Sequence, residues 1–550
     1  MLKNVTFPMS LNSRTLLYCG TAVFLLLGTL FLLPPGGVWI TDNGNKYIMM
    51  RNFAQGNGRI IPHSVPELFP TGGFHFIKVP QGAVSFYQPY LSYLSSFFYS
   101  LAGERGALFI PLAATLLLLF LGWKYWNIPP PVLLAGTPLL FYSLILWEMT
   151  PSVLLVLSVL LLTEKQHFFP AGALLALSLL MREEAYFVCA ALGGALLLTG
   201  KWRETMKFGA GFLTLLLPIW VYQWISEGHI LGYHGKYYYL NNNGNFSVLA
   251  QAKLFFFNCF HHLFRFDAFG SSKLNYLVFA ALLPLAAGGA PGFKKWVRYK
   301  YAAWFIYLGA MLFLAAGVWF QKETVYTASL LTGLFTATPL IAGVMLNWRG
   351  FLRWKKRRVM MLFLLLYILI VPPLMTASDI GLVWGARHFL VIMIPLVWLS
   401  FQGFRLFAGK KRALLLGCGT FAAAAAIQLY GIAALYRISQ NSYIIEENIR
   451  KSSAPLIVTD VFYLPEQMPR LFFEKTIVQI ITPQDLKILE NHIKTQKIKE
   501  FTLLLSPRFR QMNDAVLKEL LTKFPLTAPP RRLTGQGGFP DLFVCHWGEK

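Results

Sequence analysis

Long apolar runs separated by short polar breaks dominate the chain. The first, Leu16 to Leu33, is long enough to cross a bilayer and is closed by Pro34-Pro35-Gly36-Gly37. Polar residues then take over, and 35–104 reads as a large outer loop, too polar at its start to cross. Its end, Phe86-Tyr87-Gln88-Pro89-Tyr90 through Phe98-Tyr99, is a tyrosine-rich amphipathic segment suited to the membrane interface. A short second span is the other reading of that segment, but the interfacial one puts every later basic loop on one side. Further apolar runs at 105–123, 131–147, 151–163, 169–181, 185–199 and 208–225 lead to a second outer loop, 226–273. Six more, at 274–290, 301–320, 325–346, 359–377, 388–404 and 413–436, bring the total to about thirteen spans, given the ~20 residues a spanning helix needs.

After residue 436 the pattern changes. Pro455-Leu456-Ile457-Val458-Thr459-Asp460 and Phe501-Thr502-Leu503-Leu504-Leu505 read as buried strands, whereas 483–496 and 510–523 read as amphipathic helices. The expected organisation is an α-helical polytopic membrane module, residues 1–436, followed by a small α/β domain, residues 437–550.

Composition agrees with the pattern. The 550 residues are 56% hydrophobic and only 13% charged, with a mean hydropathy of +0.52, which excludes an ordinary soluble globule. A net charge of +25 in a soluble chain would suggest nucleic acid. Here the basic residues cluster between apolar runs, as in Lys294-Lys295-Trp296-Val297-Arg298-Tyr299-Lys300 and Arg353-Trp354-Lys355-Lys356-Arg357-Arg358. Cytoplasmic loops that orient helices and attract anionic lipid account for them better, and no nucleic-acid partner is expected. The first run lacks an A-x-A-like cleavage site and reads as a retained anchor. The topology that follows is a multi-pass protein of the cytoplasmic (inner) membrane, with a cytoplasmic N-terminus and an extracytoplasmic tail. The five cysteines show no metal or disulfide spacing.

This topology gathers polar groups far apart in sequence at the outer membrane face. They are Asp42 with Lys46, Glu148, Arg182-Glu183-Glu184, and Asp379 with Arg387-His388. Ionisable residues at membrane depth or at helix ends are costly unless paired or functional. Loop charges in water, a plain turn at Asp42-Asn43-Gly44, and helix-packing ion pairs for Arg182 and Arg387 are the competing explanations. Glu148 lies in a tight turn, Trp147-Glu148-Met149-Thr150-Pro151, between two apolar runs. The aromatic loop around Tyr233 and Lys236 suits either sugar stacking or an interfacial aromatic belt. His261-His262 is the only adjacent histidine pair, and no spacing yields an independent metal site.

The order of first helix, outer Asp42, Tyr-Pro-rich interfacial helix ending in Ala102-Gly103-Glu104-Arg105, and acidic turn after the third span resembles the C-type (GT-C) glycosyltransferases. Protein O-mannosyltransferases and bacterial aminoarabinose transferases belong to this class. Trp384-Gly385-Ala386-Arg387-His388-Phe389-Leu390, followed by Pro395, resembles their entry to a late helix, and Val458-Thr459-Asp460 opens a similar outer tail. The resemblance spans nearly the whole chain on short motifs. It implies an enzyme that moves a sugar from a polyprenyl-phosphate donor to an outer acceptor (glycolipid, polysaccharide or protein). In that role Asp42 is the general base, its pKa raised by partial burial against Trp39 and Tyr47. Lys46, Arg182 and Arg387 are the cations for the leaving phosphate, and Glu148 positions a substrate or assists the base. Glu183, His388, Tyr233 and Lys236 complete the candidate substrate contacts. Asn43 stands where many relatives carry a second acid, so dependence on a divalent metal stays open.

Two other classes compete. A transporter or flippase for lipid-linked sugars predicts charges at the bilayer midplane and symmetry between halves, whereas here the polar groups gather at one face and no repeat is visible. A scaffold acting through its tail would leave Asp42 dispensable.

Overall fold

The structure is a computed structural model. It describes residues 13–35, 38–70, 75–233, 297–320, 333–352, 357–374, 384–461, 464–505, 512–527, 531–533 and 542–548, with isolated positions between 259 and 283 and at 354 and 529. Lys236, His261, Asp379 and most of the 274–290 run lie outside the described residues.

Among the described residues of the first module, most of the apolar sequence is helical. The first apolar run is the helix α1 (Ser13–Leu32). Four stretches are long and apolar enough to cross a membrane among the described residues: Phe109–Trp126, Trp202–Glu227, Arg387–Phe407 and Ala413–Arg450. Shorter apolar helices, including Met149–Glu164, Phe168–Ser178, Ala185–Leu198, Tyr301–Ala316 and Arg358–Pro372, pack among them. The rim is apolar as well: Phe24, Leu32, Ile225, Phe305 and Leu415 are exposed. Water would penalise such a surface, whereas lipid covers it without cost.

Three expected spans have a different local form. The 131–147 run is two short helices, Pro130–Gly136 and Leu139–Ser143, because Pro138 cannot continue the ladder. The end of the 325–346 run is a single helical turn, Leu334–Ala337, and a 3-10 stretch, Pro339–Leu346, again divided by a proline. The 388–404 run opens as a 3-10 turn over Arg387–Ile392 and then joins a helical ladder, Met393–Arg450, that covers the expected 405–412 loop. That ladder is not one straight rod. A Cβ on Gly417 would lie 3.7 Å from the Phe401 ring, whereas sixteen residues of straight helix would hold them roughly 24 Å apart. The chain therefore folds back between them, giving two antiparallel segments.

The largest departure lies in the 35–104 stretch. Thr41-Asp42-Asn43-Gly44 starts a helix, α2 (Thr41–Ala54), rather than forming a turn. The Asn43 side chain explains this, since its Oδ1 accepts from the N–H groups of Trp39 (2.9 Å) and Ile40 (2.8 Å). It thereby satisfies two donors at a helix start that otherwise lack partners. Strands β1 (Ile60–Pro62), β2 (Phe76–Val79) and β3 (Gly82–Ser85) follow, paired antiparallel in the order β1-β3-β2.

Next comes α3 (Tyr90–Gly106), with inverted amphipathicity. Its buried face carries Leu91, Ser92, Ser95 and Ser96, while Tyr93, Leu94, Phe97 and Leu101 point outward. Apolar residues outward and serines inward suit a helix lying against lipid.

The tail contains a five-stranded sheet of β4 (Leu456–Thr459), β5 (Thr476–Gln479), β6 (Glu500–Leu505), β7 (Arg531–Leu533) and β8 (Leu542–Gly548). The order is β5-β4-β6-β8-β7, with β5, β4 and β6 parallel and β8 antiparallel to β6. Helices Pro483–Thr495 and Asp514–Lys523 are capped by the side chains of Thr482 and Asn513. They lay Leu486, Leu489, Val516 and Leu520 on the sheet, and Val65 and Leu68 from the β1–β2 connection join this core. The two extramembrane parts therefore sit at one end of the bundle. They come close at Gly44, where a Cβ would collide with the Glu466 carbonyl oxygen.

Candidate active site

The first turns of α2 present Asp42 and Lys46 four residues apart, hence on one helical face. This face looks across the top of the bundle at three other segments. One is the turn holding Glu148, just before the helix Met149–Glu164. Another is Arg182-Glu183-Glu184, between the helices Phe168–Ser178 and Ala185–Leu198. The last is the loop Trp384–His388.

That last loop is tightly built. Gly385 has φ +64°, and a Cβ there would meet Pro138 at 2.6 Å, so glycine is required. Trp384 Nε1 donates to Gln428 Oε1 (2.9 Å), the Tyr142 hydroxyl to the Trp384 carbonyl (2.5 Å), and the Tyr367 hydroxyl to the His388 carbonyl (2.8 Å). Arg387 is thus delivered from a fixed backbone.

These segments form a nearly continuous sequence of alternating charges. Lys46 Nζ lies 3.3 Å from Glu148 Oε2, and Glu148 Oε1 lies 3.3 Å from Arg182 Nη1. The Arg182 fork closes on Glu184, whose Oε1 is 3.1 Å from His388 Nδ1. Arg387 Nε donates to His388 Nε2 (3.2 Å), while its Nη1 is 3.7 Å from Asp42 Oδ2. On the other side of Asp42, Oδ1 is 3.5 Å from His75 Nε2, and His75 Nδ1 is 2.9 Å from Glu466 Oε1. Four carboxylates face three basic side chains and two histidines, a nearly neutral set that a buried site tolerates. Aromatic rings floor it: Lys46 Nζ stands 3.6 Å above Tyr87, and the Arg387 guanidinium 5.8 Å from Trp147. Asp42, His75 and Arg387 keep 18%, 16% and 13% of their side chains accessible, against 2% for Lys46. The set therefore opens to its surroundings at Asp42.

The electrostatics correct one expectation. Burial alone raises the Asp42 pKa, but His75, Arg387, Lys46 and a hydrogen bond from the Tyr87 hydroxyl together outweigh it and hold the carboxyl below its ordinary range. Trp39 and Tyr47 are not its neighbours in this balance. Trp39 packs edge-on against Phe141, and Tyr47 against Tyr99. For His75, burial works against the charged form, yet Glu466 and Asp42 prevail and its pKa is raised. For Lys46 burial prevails over Glu148 and Asp42, and its pKa is lowered. Burial and the Asp42 carboxylate both push the Tyr87 hydroxyl well up, so it stays a donor.

Other candidates are placed less centrally. The acid that grips Arg182 and His388 is Glu184 rather than Glu183. Arg182, held by Glu184 and Glu148, has the form of a structural ion pair. The Tyr233 N–H donates to Glu227 Oε2 (2.5 Å), and its ring lies 5.0 Å from the Arg59 guanidinium, so it belongs to a cluster at the end of Trp202–Glu227. The His262 ring packs edge-on 5.8 Å from His388. No group of three metal-ligating side chains forms among the described residues.

Sequence reasoning missed His75, Tyr87 and Glu466. His75 stands between two phenylalanines in Phe74-His75-Phe76, an uncommon setting for an exposed histidine, and this was the available signal. Glu466, 391 residues from His75, had none.

Comparison with family models and with curated proteins finds no match for this chain. Two solved structures are similar to it over nearly the full length. One is ArnT from Cupriavidus metallidurans bound to undecaprenyl phosphate, at 15% identity over 96% of this chain and 98% of that chain, with a TM-score of 0.40. The other is ArnT from the same organism in the apo state, at 13% identity over 97% of each chain, also with a TM-score of 0.40.

Proposed function

We propose that the protein is an integral-membrane glycosyltransferase that moves a sugar from a polyprenyl-phosphate carrier to an acceptor hydroxyl on the extracytoplasmic side. The observation that carries this reading is Asp42, an ionised carboxylate at the accessible edge of the site. It stands beside Arg387 and on the same helical face as Lys46, at the end of the bundle where α3 turns its apolar face outward. A lipid donor needs such a place, with its tail in the bilayer and its phosphate and sugar against polar groups.

In this reading the acceptor oxygen attacks the anomeric carbon, and the bond from that carbon to the phosphate oxygen breaks. The acceptor's proton goes to Asp42, and the lipid phosphate leaves with one more negative charge. Arg387 offers that phosphate a planar fork, and Lys46 adds a second positive charge over the Tyr87 ring. The lowered pKa of Asp42 suits an ordered reaction. An anionic donor beside Arg387 and Lys46 offsets two of the charges that hold the carboxyl low, so the base gains proton affinity when the donor is present.

The test uses labelled polyprenyl-phosphate sugars in proteoliposomes made with an envelope lipid extract as the acceptor pool. Asp42→Asn keeps the shape but removes the base, and transfer should fall by about 10²–10⁴ while the protein inserts and melts normally. Near-normal transfer by this variant would place the base elsewhere.

A further inference from the structure

The one acid in the site that the membrane module does not supply is Glu466. It sits on a single helical turn, Leu464–Gln467, between β4 and β5, and is 2% exposed. Its Oε1 and Oε2 lie 2.9 and 3.0 Å from His75 Nδ1, and Asn45 Nδ2 donates to Oε1 (3.3 Å). Asn45 is itself fixed, because its Oδ1 accepts from the Ser85 hydroxyl (2.6 Å) and its Nδ2 also reaches the His75 carbonyl (3.3 Å). The His75 ring lies against Phe86 and Tyr87, 5.4 Å from each, with planes tilted by about 30°. Its remaining nitrogen, Nε2, faces Asp42 Oδ1 at 3.5 Å.

We infer that Glu466 and His75 are positioning residues for Asp42. Through Glu466 the tail aims the imidazole so that Nε2–H holds one carboxylate oxygen, leaving the other turned toward Arg387 and the incoming substrates. A carboxylate on each side of an imidazole makes both ring nitrogens donors, which fixes ring orientation and leaves a cation against Asp42. The charged groups facing the ring are Asp42 and Lys46 from α2 and Glu466 from the tail, with the Tyr87 hydroxyl nearby. The tail is then part of the active site rather than an appendage. This inference rests on the reading of Asp42 given above.

The experiment compares wild type, Glu466→Gln, His75→Gln, Asp42→Asn and Arg51→Ala as full-length proteins in the same proteoliposome assay across the histidine titration range. Arg51 Nη1 donates to the Arg470 carbonyl (2.6 Å), so Arg51→Ala loosens the same contact between α2 and the tail without touching the Glu466–His75–Asp42 line. Glu466→Gln should lower turnover roughly ten- to hundredfold, the range seen when outer partners of reacting groups are removed, with donor KM unchanged. Loss of the neighbouring negative charge lowers the His75 pKa, so the alkaline fall in activity should move to lower pH. His75→Gln should abolish that limb.

If Glu466→Gln does not fold, Glu466→Asp carries the test. It should lose turnover while keeping the alkaline limb, and wild-type turnover would overturn the inference. Unchanged turnover and pH profile in Glu466→Gln would also overturn it, as would an Arg51→Ala protein with the same shifted limb, since docking alone would then suffice. Full transfer by Asp42→Asn would instead place the base elsewhere and leave Glu466 and His75 nothing to position, and a wild type that transfers no sugar would sink the glycosyltransferase reading itself.

Discussion

At the scale of single residues, the stabilising contributions of His75 and Asp42 depend on pH in opposite directions. The Asp42 pKa is lowered in the folded protein, so its contribution is fully present above its ordinary value of 3.8 and is lost as pH falls through the folded value. The His75 pKa is raised, so its contribution is fully present below its ordinary value of 6.5 and is lost as pH rises through the folded value. Both act in full only between those two ordinary values. Thermal melting of wild type against His75→Gln should therefore differ most in that acidic window and converge on the alkaline side; a gap that widened with pH would reverse the assigned sign. The arginines separate in the same way. Lysine at 182 keeps one charge but cannot span Glu184 and Glu148, so Arg182→Lys should lower stability by about 1–3 kcal/mol with donor dependence retained. Arg387→Lys should melt like wild type yet weaken both donor binding and turnover, because an ammonium cannot reproduce the fork. Donor titration with parallel melting curves distinguishes the two patterns.

At the scale of elements, α2 joins the bundle to the tail, and its geometry depends on Gly44. A methyl group there would enter the space of the Glu466 carbonyl oxygen, and backbone on both sides leaves little room to yield. Gly44→Ala should therefore push Leu464–Gln467 off α2, destabilise by about 1–3 kcal/mol and quicken proteolytic release of the tail; wild-type protease resistance would show that the contact tolerates separation. The same helix explains what was legible in the sequence. Membrane helices announce themselves by apolar length, and α3 by its tyrosines, because these signals are local. Asp42-Asn43-Gly44-Asn45 reads as a turn by composition, and only its partners reverse that: Asn43 caps the helix, Gly44 admits the tail, and Asn45 reaches Glu466 and His75. Asp42, Lys46, Glu148, Arg182 and Arg387 were visible as charges beside apolar runs. His75 showed only as a histidine between two phenylalanines and Glu466 not at all, since a pairing across nearly four hundred residues leaves no trace in either local pattern.

At the scale of the whole molecule, the strongest constraint is that the site is assembled at one end of the bundle by segments from both halves of the chain. Residues 41–54, the small sheet and the tail share contacts through Glu466, through Arg51 on the Arg470 carbonyl, and through His63, whose two ring nitrogens lie 2.9 Å from the carbonyls of Val65 and Ile477. Elements packed so closely cannot lie on opposite faces of a bilayer, so any topology must place them together. The far end is marked differently. Arg357 pairs with Glu164 at 3.0 Å and covers the Trp398 ring, and Lys165 lies 5.2 Å above Tyr125, a basic and aromatic cluster that the positive-inside rule would place on the cytoplasmic side. Single cysteines at the exposed positions Gln55, Lys165 and Lys497, in a protein whose own cysteines are replaced, test this directly. An impermeant thiol reagent added to intact cells should label positions 55 and 497 and spare 165 until the membrane is opened. Protection of 497 with labelling of 55 would break the contact between the tail and α2, and with it the role of Glu466. Labelling of 165 with 55 and 497 spared would instead place the basic loops outside and reverse the orientation of the bundle, leaving its internal arrangement intact.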